Sequence, residues 1–468
     1  MGHGQGIAGR LRRAIAGTAA AAALALSAPP AAAETLTDAL ISAYRNSGLL
    51  EQNRAVLRAA DEDVAQAVAE LYPVLNWQIQ SDYAEPANDT LTTSLALTAQ
   101  LTLYDGGANR LAIDAAKENV LAVREGLVDA EQGVLFDAVS AYFDVLNAVG
   151  ILSLRENNLR LIQSELGAAR DRFEVGEITR TDVSLAEARL AEVRSQLAAA
   201  EGDLAVARET YNRAVGRYPG RLVQPESAPL PAATVEEARS RAVRAHPQVR
   251  RAQREVAVSE INAARAAAGR NPRLTLGANL GASVDDPPPG VNDRVRRGVS
   301  LSLGGPLYQA GRIDSLVRQA VAQSEAARAR LLLAVDVAEL NAGTAFANLL
   351  VARAVLDSSR RQVVAQQQAF EGVREEATLG ARTTLDVLDA EQDLLDARTT
   401  VVTALTQQFV AQYALLSAQG LLTVDYLGLG IPTYDPAAYY NAVKDAPVYS
   451  SPQGAALDRV IKSLNLDR

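Results

Sequence analysis

The sequence predicts a mainly α-helical protein built from two similar halves, each of which also contributes one pair of β-strands. Three observations lead to this prediction. Related motifs recur about 200 residues apart, two runs of 68 residues are free of proline, and four shorter segments alternate apolar and polar residues. Each half therefore reads as helix, hairpin, long helix, turn and helix.

The N-terminal segment has the pattern of a secretory signal. Three arginines precede the apolar run AIAGTAAAAALALSA, and a small-residue site ends at Ala33, immediately before Glu34. Removal of residues 1–33 would leave 435 of the 468 residues and, because three arginines leave, would change the formal net charge from −9 to −12. The sequence thus predicts an exported chain.

Composition argues against several classes of function. The acidic charge does not suit a nucleic-acid partner, and the absence of cysteine excludes disulfides and thiol chemistry. One of the two histidines lies in the signal segment, so no metal site is expected, and His246 is interpreted as a surface or cap residue. No nucleophile elbow, phosphate loop or dinucleotide fingerprint follows residue 33, so neither enzyme activity nor a cofactor is predicted.

An internal duplication organises the chain. The segment TLTDALISAYRN from Thr35 aligns with TVEEARSRAVRA from Thr234 at an offset of 199, and the turns VGEITRTDV and LGARTTLDV align at 204. The five extra residues fall inside the strand hairpin of the second half. The predicted divisions are a signal at 1–33, a first repeat at 34–216, a linker at 217–233, a second repeat at 234–425 and a tail at 426–468.

The proline-free runs predict two very long helices. Residues 108–175 and 312–379 would each form a helix about 100 Å long at 1.5 Å per residue. Shorter helices of about half that length flank them, and only Pro247 is expected to interrupt one. Two short helices end to end match one long helix, which predicts a layered cylinder. The short helices are predicted at 35–71, 181–215, 234–269 and 383–419.

Apolar residues recur every seven positions along two of the shorter helices. This period indicates coiled-coil packing with a left-handed supercoil, and core packing explains the stripes without any special role. Abundant alanine at the remaining positions would let each helix pack on two neighbours. The stripes are Val183, Leu190, Leu197, Leu204 and Tyr211, and Leu388, Leu395, Val402, Phe409 and Leu416.

Four segments predict strands at about 74–83, 91–104, 273–283 and 295–307, paired as hairpins with turns at EPAND and DDPPPGVND. One face of each strand is apolar and the other polar, which fits either a soluble sheet on a core or a membrane barrel. No segment is available to cover the apolar face, and no run of about 18 uninterrupted apolar residues offers a helical anchor. The barrel is therefore favoured.

Four strands cannot close a membrane barrel, because the smallest need about eight and an open edge in lipid leaves backbone groups unpaired. Other copies of the chain must supply the missing strands. Two copies would give eight strands and three would give twelve, and composition does not choose between them.

The duplicated order of elements, the hairpin exits LYDGG and LYQAG, and the turns VGEITRTDV and LGARTTLDVLDA resemble the TolC family of outer-membrane efflux and export channels over residues 35–425. The resemblance implies a homotrimer with a twelve-stranded barrel in outer-membrane lipid and an α-helical tunnel in the periplasm. It also implies docking to an inner-membrane transporter of the RND or ABC type through a periplasmic adaptor. The linker and the chain after Leu421 match the family's belt around the tunnel, and the tail from PTYDPAAYY onward is expected to be poorly ordered.

Two aspartates stand out at the second helix-to-helix turn. Thr383 followed by Asp386 fits a capping box, as does Thr179 followed by Asp182, but capping does not explain Asp389. Asp386 and Asp389 are three residues apart and share a helix face. The resemblance implies that they form acidic rings at the periplasmic entrance, which would favour cations and raise some carboxylate pKa values.

The resemblance assigns further roles at the same turns. Arg382 matches the family's gate-locking arginine, with Thr181 and Asp182 as its expected partners, while Ala377 replaces the family's tyrosine. Gly176 and Gly380 mark the helix tips where an adaptor would dock, and glycine also suits a tight turn on its own account.

Three functions are weighed. The first is a passive exit duct for drugs, other small molecules or proteins, and the sequence does not choose among these cargoes. The second is a periplasmic coiled-coil scaffold or adaptor with a soluble sheet and no pore. A secreted enzyme is the third and has the least support.

Overall fold

The computed structural model describes residues 33–84, 90–225, 232–286, 294–445 and 459. The rest of the signal segment, the EPAND turn, most of the DDPPPGVND turn, the centre of the linker and most of the far tail lie outside these residues. The chain forms two compact units. The first unit comprises residues 1–46, 137–228 and 352–410, and the second comprises 47–136, 229–351 and 411–468.

The helices follow the predicted duplication closely. Each long helix has 67 residues, one fewer than predicted. The mainly α-helical class with one pair of strands per half is confirmed. The helices of the described part are α1 (Leu36–Asn46), α2 (Gly48–Ala69), α3 (Ala108–Glu174), α4 (Arg180–Val215), α5 (Val235–Ala245), α6 (Pro247–Ala268), α7 (Arg312–Thr378), α8 (Thr384–Ala418), α9 (Val424–Leu427) and α10 (Pro436–Val443).

The prediction that only Pro247 interrupts a shorter helix is wrong. The first helix also breaks, at Ser47, whose hydroxyl accepts a bond from the Leu50 amide and caps α2. Ser47 is 199 residues before His246, so the two breaks occupy equivalent positions in the repeats. His246 Nδ1 accepts from the Gln248 amide, which confirms the cap, although the side chain is buried rather than on the surface.

The strands form one antiparallel sheet in the order β1 (Val74–Ala84), β2 (Thr90–Tyr104), β3 (Arg273–Asp286) and β4 (Arg294–Gly304). Strand β4 ends three residues earlier than predicted, ahead of Pro306, which has no amide to donate to a ladder. Within the described chain β1 and β4 each pair with a single neighbour, so both edges of the sheet are open.

The register aligns the apolar positions across the sheet. Trp77 pairs with Leu97 and Leu97 with Leu280, so these three apolar residues form one row on one face, and the charged Arg297 of β4 ends that row. Trp77 is 72% exposed. The predicted apolar face is therefore present, and the second unit does not cover Trp77.

One residue anchors the start of the described chain in the first unit. The Glu34 carboxylate is buried and accepts bonds from the Tyr211 hydroxyl and the Gly220 amide, and it pairs with Arg217 at 2.8 Å. The Tyr142 hydroxyl donates to the Glu34 carbonyl at 3.0 Å. These contacts tie the segment before α1 to α3, α4 and the linker.

The described part of the tail contains the packed helix α10, so the expectation of poor order from PTYDPAAYY onward is wrong for this part. Helix α10 packs on α2 and α3 in the second unit, where Arg124 lies 5.3 Å from the centre of the Tyr440 ring. The Tyr439 hydroxyl donates to Glu62 at 2.7 Å. These arginine and tyrosine contacts hold the helix in place together with the apolar packing of Tyr440 and the buried Val443.

Among the described helices, α3 alone contains an 18-residue window long and apolar enough to cross a membrane by length and composition. Half of that window is buried inside the protein. Burial of this extent is also found in the core helices of soluble proteins, so the window is weak evidence for a span.

Candidate functional site

The two helix-to-helix turns of the first unit have the same backbone geometry. Gly176 follows α3 at φ 81° and Gly380 follows α7 at φ 80°, both in the left-handed region that favours glycine. After Gly176 the Glu177 amide donates back to the Arg172 carbonyl at 2.9 Å, and after Gly380 the Ala381 amide donates to the Glu376 carbonyl, also five residues earlier, at the same distance. Both long helices therefore end in a Schellman motif.

Each following helix begins with a capping box. The Thr179 amide and hydroxyl both donate to Asp182 Oδ2, at 2.9 and 2.8 Å. The Thr383 amide and hydroxyl donate to Asp386 Oδ2, each at 2.9 Å. The bonds from the threonine amide, reinforced by those from its hydroxyl, lower the pKa of both aspartates. This is the opposite direction to the rise expected of an acidic ring, so within one chain capping dominates at Asp386.

Asp389 has no counterpart in the first repeat, where Leu185 occupies the equivalent position. Its side chain is exposed, one turn beyond the half-buried Asp386 and on the same helix face. The fold thus brings the two predicted ring residues together. The described residues contain no group of three or more His, Cys, Asp or Glu side chains placed to hold a metal ion.

Arg382 pairs within its own turn. Its Nε lies 2.9 Å from Glu376 Oε2 on the last turns of α7. Thr181 is exposed and Asp182 caps α4, so one chain does not join them to Arg382. Contacts between Arg382 and these two residues remain a prediction for the assembled protein. Ala377, at the family tyrosine position, packs beside a cluster centred on Phe370.

Helix α8 is buried on two sides behind the turn. Leu388 packs with residues of α3 and α4, including Leu166 and Leu190. The neighbouring Val387 packs with Phe370 of α7. The two hairpins α3–α4 and α7–α8 are thereby held together by adjacent residues of one helix.

Sequence reasoning missed Glu391, which lies on this buried part of α8. It is 5% exposed, and neither carboxylate oxygen has a hydrogen-bond partner. Burial, and secondarily Glu165, raises the pKa of Glu391 to about 7 against the opposing charges of Arg189 and Arg374. A sequence signal did exist, because the glutamate stands one turn from apolar pairs on both sides, Val387 with Leu388 and Leu394 with Leu395.

Comparison with known proteins agrees with this architecture. The model for the outer membrane efflux protein family matches residues 39–217 and 238–421, which correspond to the two repeats. The outer membrane efflux protein BepC of Brucella suis biovar 1 (strain 1330) is 35% identical, with 90% of this chain and 92% of the relative covered. Outer membrane protein TolC of Escherichia coli (strain K12) is 26% identical, covering 91% and 88%.

A solved structure supports the fold independently. The open state of the Neisseria gonorrhoeae MtrE outer membrane channel superimposes with a TM-score of 0.71 over 84% of this chain and 90% of that one. The sequences are 19% identical, so this likeness concerns the fold alone.

Proposed function

This chain belongs to the family of outer membrane efflux proteins, and from that premise we propose that it is the exit duct of a tripartite efflux pump or type I secretion system. The family consists of outer-membrane channels rather than enzymes, so the chain is an outer-membrane exit duct. The finer proposal is that three copies assemble, with their helices forming a tunnel in the periplasm.

The open sheet is the main observation in favour of a trimer. Strands β1 and β4 are edges within the described chain, and the face bearing Trp77 and Leu301 is exposed. Open edges are not tolerated in lipid, so neighbouring copies must pair β4 with β1. Three copies give twelve strands, which leaves a lumen, whereas eight strands are filled by their own side chains.

The two hairpin turns suit a gate at the periplasmic end. In a trimer Asp386 and Asp389 would each become a ring of three carboxylates and favour cations at the constriction. Arg382 of one copy would reach Thr181 and Asp182 of the next and hold the hairpins closed. The exposed tips at Gly176 and Gly380 would dock the periplasmic adaptor that links the duct to an RND or ABC-type transporter.

The inner-membrane transporter that partners the duct, rather than this chain, would determine which cargo is exported. A passive tunnel contributes no chemistry, so drugs, other small molecules and unfolded proteins are all compatible with it. The relative BepC is an outer membrane efflux protein, which favours efflux over secretion as the primary role.

Single-channel conductance of the detergent-purified protein in a planar bilayer tests the proposal, together with its oligomeric mass in detergent. We expect a trimer that conducts and a folded barrel that shifts in electrophoretic mobility when boiled. A protein that is soluble without detergent, shows no mobility shift and never conducts would favour the coiled-coil scaffold instead.

A further inference from the structure

A buried carboxylate without a partner lies directly behind the proposed gate. Glu391 sits on α8 less than two turns after Asp386, and both of its oxygens are enclosed and unbonded. An ionised carboxylate in such a site loses its hydration and gains no hydrogen bond in return. The packed arrangement therefore suits the neutral, protonated acid.

Three charged groups face Glu391 from the helices packed around it. They are Glu165 of α3, Arg189 of α4 and Arg374 of α7. Arg189 is already engaged, because its guanidinium binds Glu192 at 2.7 Å and also donates to Gln392. Its Nε is buried and unbonded, so even this neighbour does not neutralise Glu391 directly.

The first repeat contains the same pair in a different state. Glu187 and Arg170 lie 204 residues before Glu391 and Arg374. In the first repeat the arginine and the glutamate form an ion pair at 2.7 Å, and the Glu187 side chain is 50% exposed. In the second repeat the arginine is exposed, whereas the glutamate points into the core.

The difference follows from the width of the apolar face. In α4 the stripe through Leu190 is flanked by Ser184 and Ala191, which are exposed, so Glu187 lies at its edge. In α8 both residues of each apolar pair are buried, Leu394 with Leu395 for example, and Glu391 is central. Glu391 is buried because the apolar residues beside it on α8 pack against the α3–α4 hairpin and against α7.

We propose that Glu391 is a proton-binding site that controls the gate: protonated, it packs between the two hairpins; ionised, it leaves the core and pairs with Arg374, as Glu187 pairs with Arg170. The outward movement would withdraw α8 from α3 and α4 and loosen the closed turn. This inference rests on the proposed channel function, since it describes how that channel responds to protons.

The direction of the pH effect follows from linkage. The packed state binds the proton more tightly, so packing is favoured at low pH and is progressively lost between pH 4.5 and about 7. Each pH unit in this interval changes the packed-to-open ratio by up to about tenfold. Alkaline conditions should therefore favour the open channel.

The test compares gating of the full-length channel in planar bilayers between pH 5 and pH 8. We expect open probability to rise at least about tenfold in the native protein and to stay low in Glu391→Gln, whose neutral amide copies the protonated acid. Glu187→Gln, the equivalent change in the first repeat, should retain the native profile. A native profile in Glu391→Gln, or equal flattening in both variants, would overturn the proposal.

A second readout does not depend on conduction. The chain has no cysteine, so Leu388→Cys provides a single probe at the contact of α8 with α3 and α4. At pH 8 a maleimide should label this cysteine several-fold faster with native Glu391 than with Glu391→Gln; equal rates would refute the proton switch. If the protein never conducts, the exit duct fails, and the labelling comparison still decides whether Glu391 controls packing.

Discussion

Arg382 Nε and Glu376 Oε2 lie 2.9 Å apart across the turn between α7 and α8. The arginine is thus held by α7, on which its partner Glu376 lies six residues earlier in the sequence. Both side chains are about half exposed, so the pair contributes little to stability by itself. The pair matters because Glu376 competes with the proposed partners of Arg382: a guanidinium that binds Glu376 is less available to a neighbouring copy.

Competition between these contacts predicts different effects of two substitutions. Arg382→Gln should raise the open probability of the channel several-fold, because it removes the proposed contact with Thr181 and Asp182. Glu376→Gln should not raise it, since the arginine is freed for that contact. Planar-bilayer recordings measure both, and equal changes in the two variants would assign Arg382 to its own turn only.

Because both turns contain a capping box, equivalent substitutions in the two boxes distinguish the effect of helix capping from the effect of charge at the gate. Asp182→Asn and Asp386→Asn remove equivalent acceptors, so they should lower the Tm by similar small amounts. Cation selectivity should fall only in Asp386→Asn, and further when Asp389→Asn is added. If Asp182→Asn reduces selectivity equally, the aspartates act through the helix ends and not as a ring.

Replacing either turn glycine with alanine should destabilise the protein, whereas the same change at a glycine inside a helix should stabilise it. At Gly380 an added Cβ would meet no atom within 4 Å, so Gly380→Ala pays only for φ of 80°, about 1 kcal/mol. Gly176→Ala should cost the same. Gly372 lies inside α7, is equally uncrowded and has ordinary helical φ, so Gly372→Ala should stabilise by about 0.5–1 kcal/mol.

Chemical unfolding monitored by the helical circular dichroism signal measures all three glycine variants. A loss of stability in Gly372→Ala comparable to that at the turns would show that the added methyl group, rather than backbone conformation, is responsible. The same three proteins can be tested for adaptor binding, where only the turn variants should differ from the native chain.

The sequence was sufficient for elements defined by local chemistry. Proline-free runs, turn glycines and the threonine-to-aspartate spacing placed the long helices, both turns and both capping boxes within one or two residues. Alternation placed the strands within three residues, with the largest differences at the ends of β3 and β4, because lipid or core contact imposes period two on every residue of a strand. These signals do not depend on partners elsewhere in the chain.

Features that depend on distant partners were missed. Serine is tolerated inside helices, so the break at Ser47 was visible only by comparison with its repeat partner His246. Helix α10 is held in part by cation–π and hydroxyl contacts with α2 and α3, and such contacts have no periodic pattern in the sequence. The burial of Glu391 likewise requires a second hairpin against α8, and a heptad pattern in one helix does not reveal it.

The last prediction concerns Asp61, which lies in the second unit near Tyr439 of α10. It is fully buried, and neither carboxylate oxygen has a hydrogen-bond partner. Burial raises its pKa to about 6, despite the opposing charge of Arg124 and with a small further rise from Glu62. The folded state therefore prefers the protonated acid, and stability is lost as pH rises from 3.8 to about 6.

Asp61→Asn should remove this loss. At each pH the measured quantity is the free energy of unfolding of the variant minus that of the native protein. This difference should be about 1–3 kcal/mol larger at pH 7.5 than at pH 4. Asp63→Asn, an exposed neighbour on α2, should show no such pH-dependent gain. Denaturant unfolding in detergent at the two pH values gives the comparison. If Asp61→Asn destabilises at pH 7.5, the native carboxylate is ionised there, and its attraction to Arg124 outweighs the cost of burial.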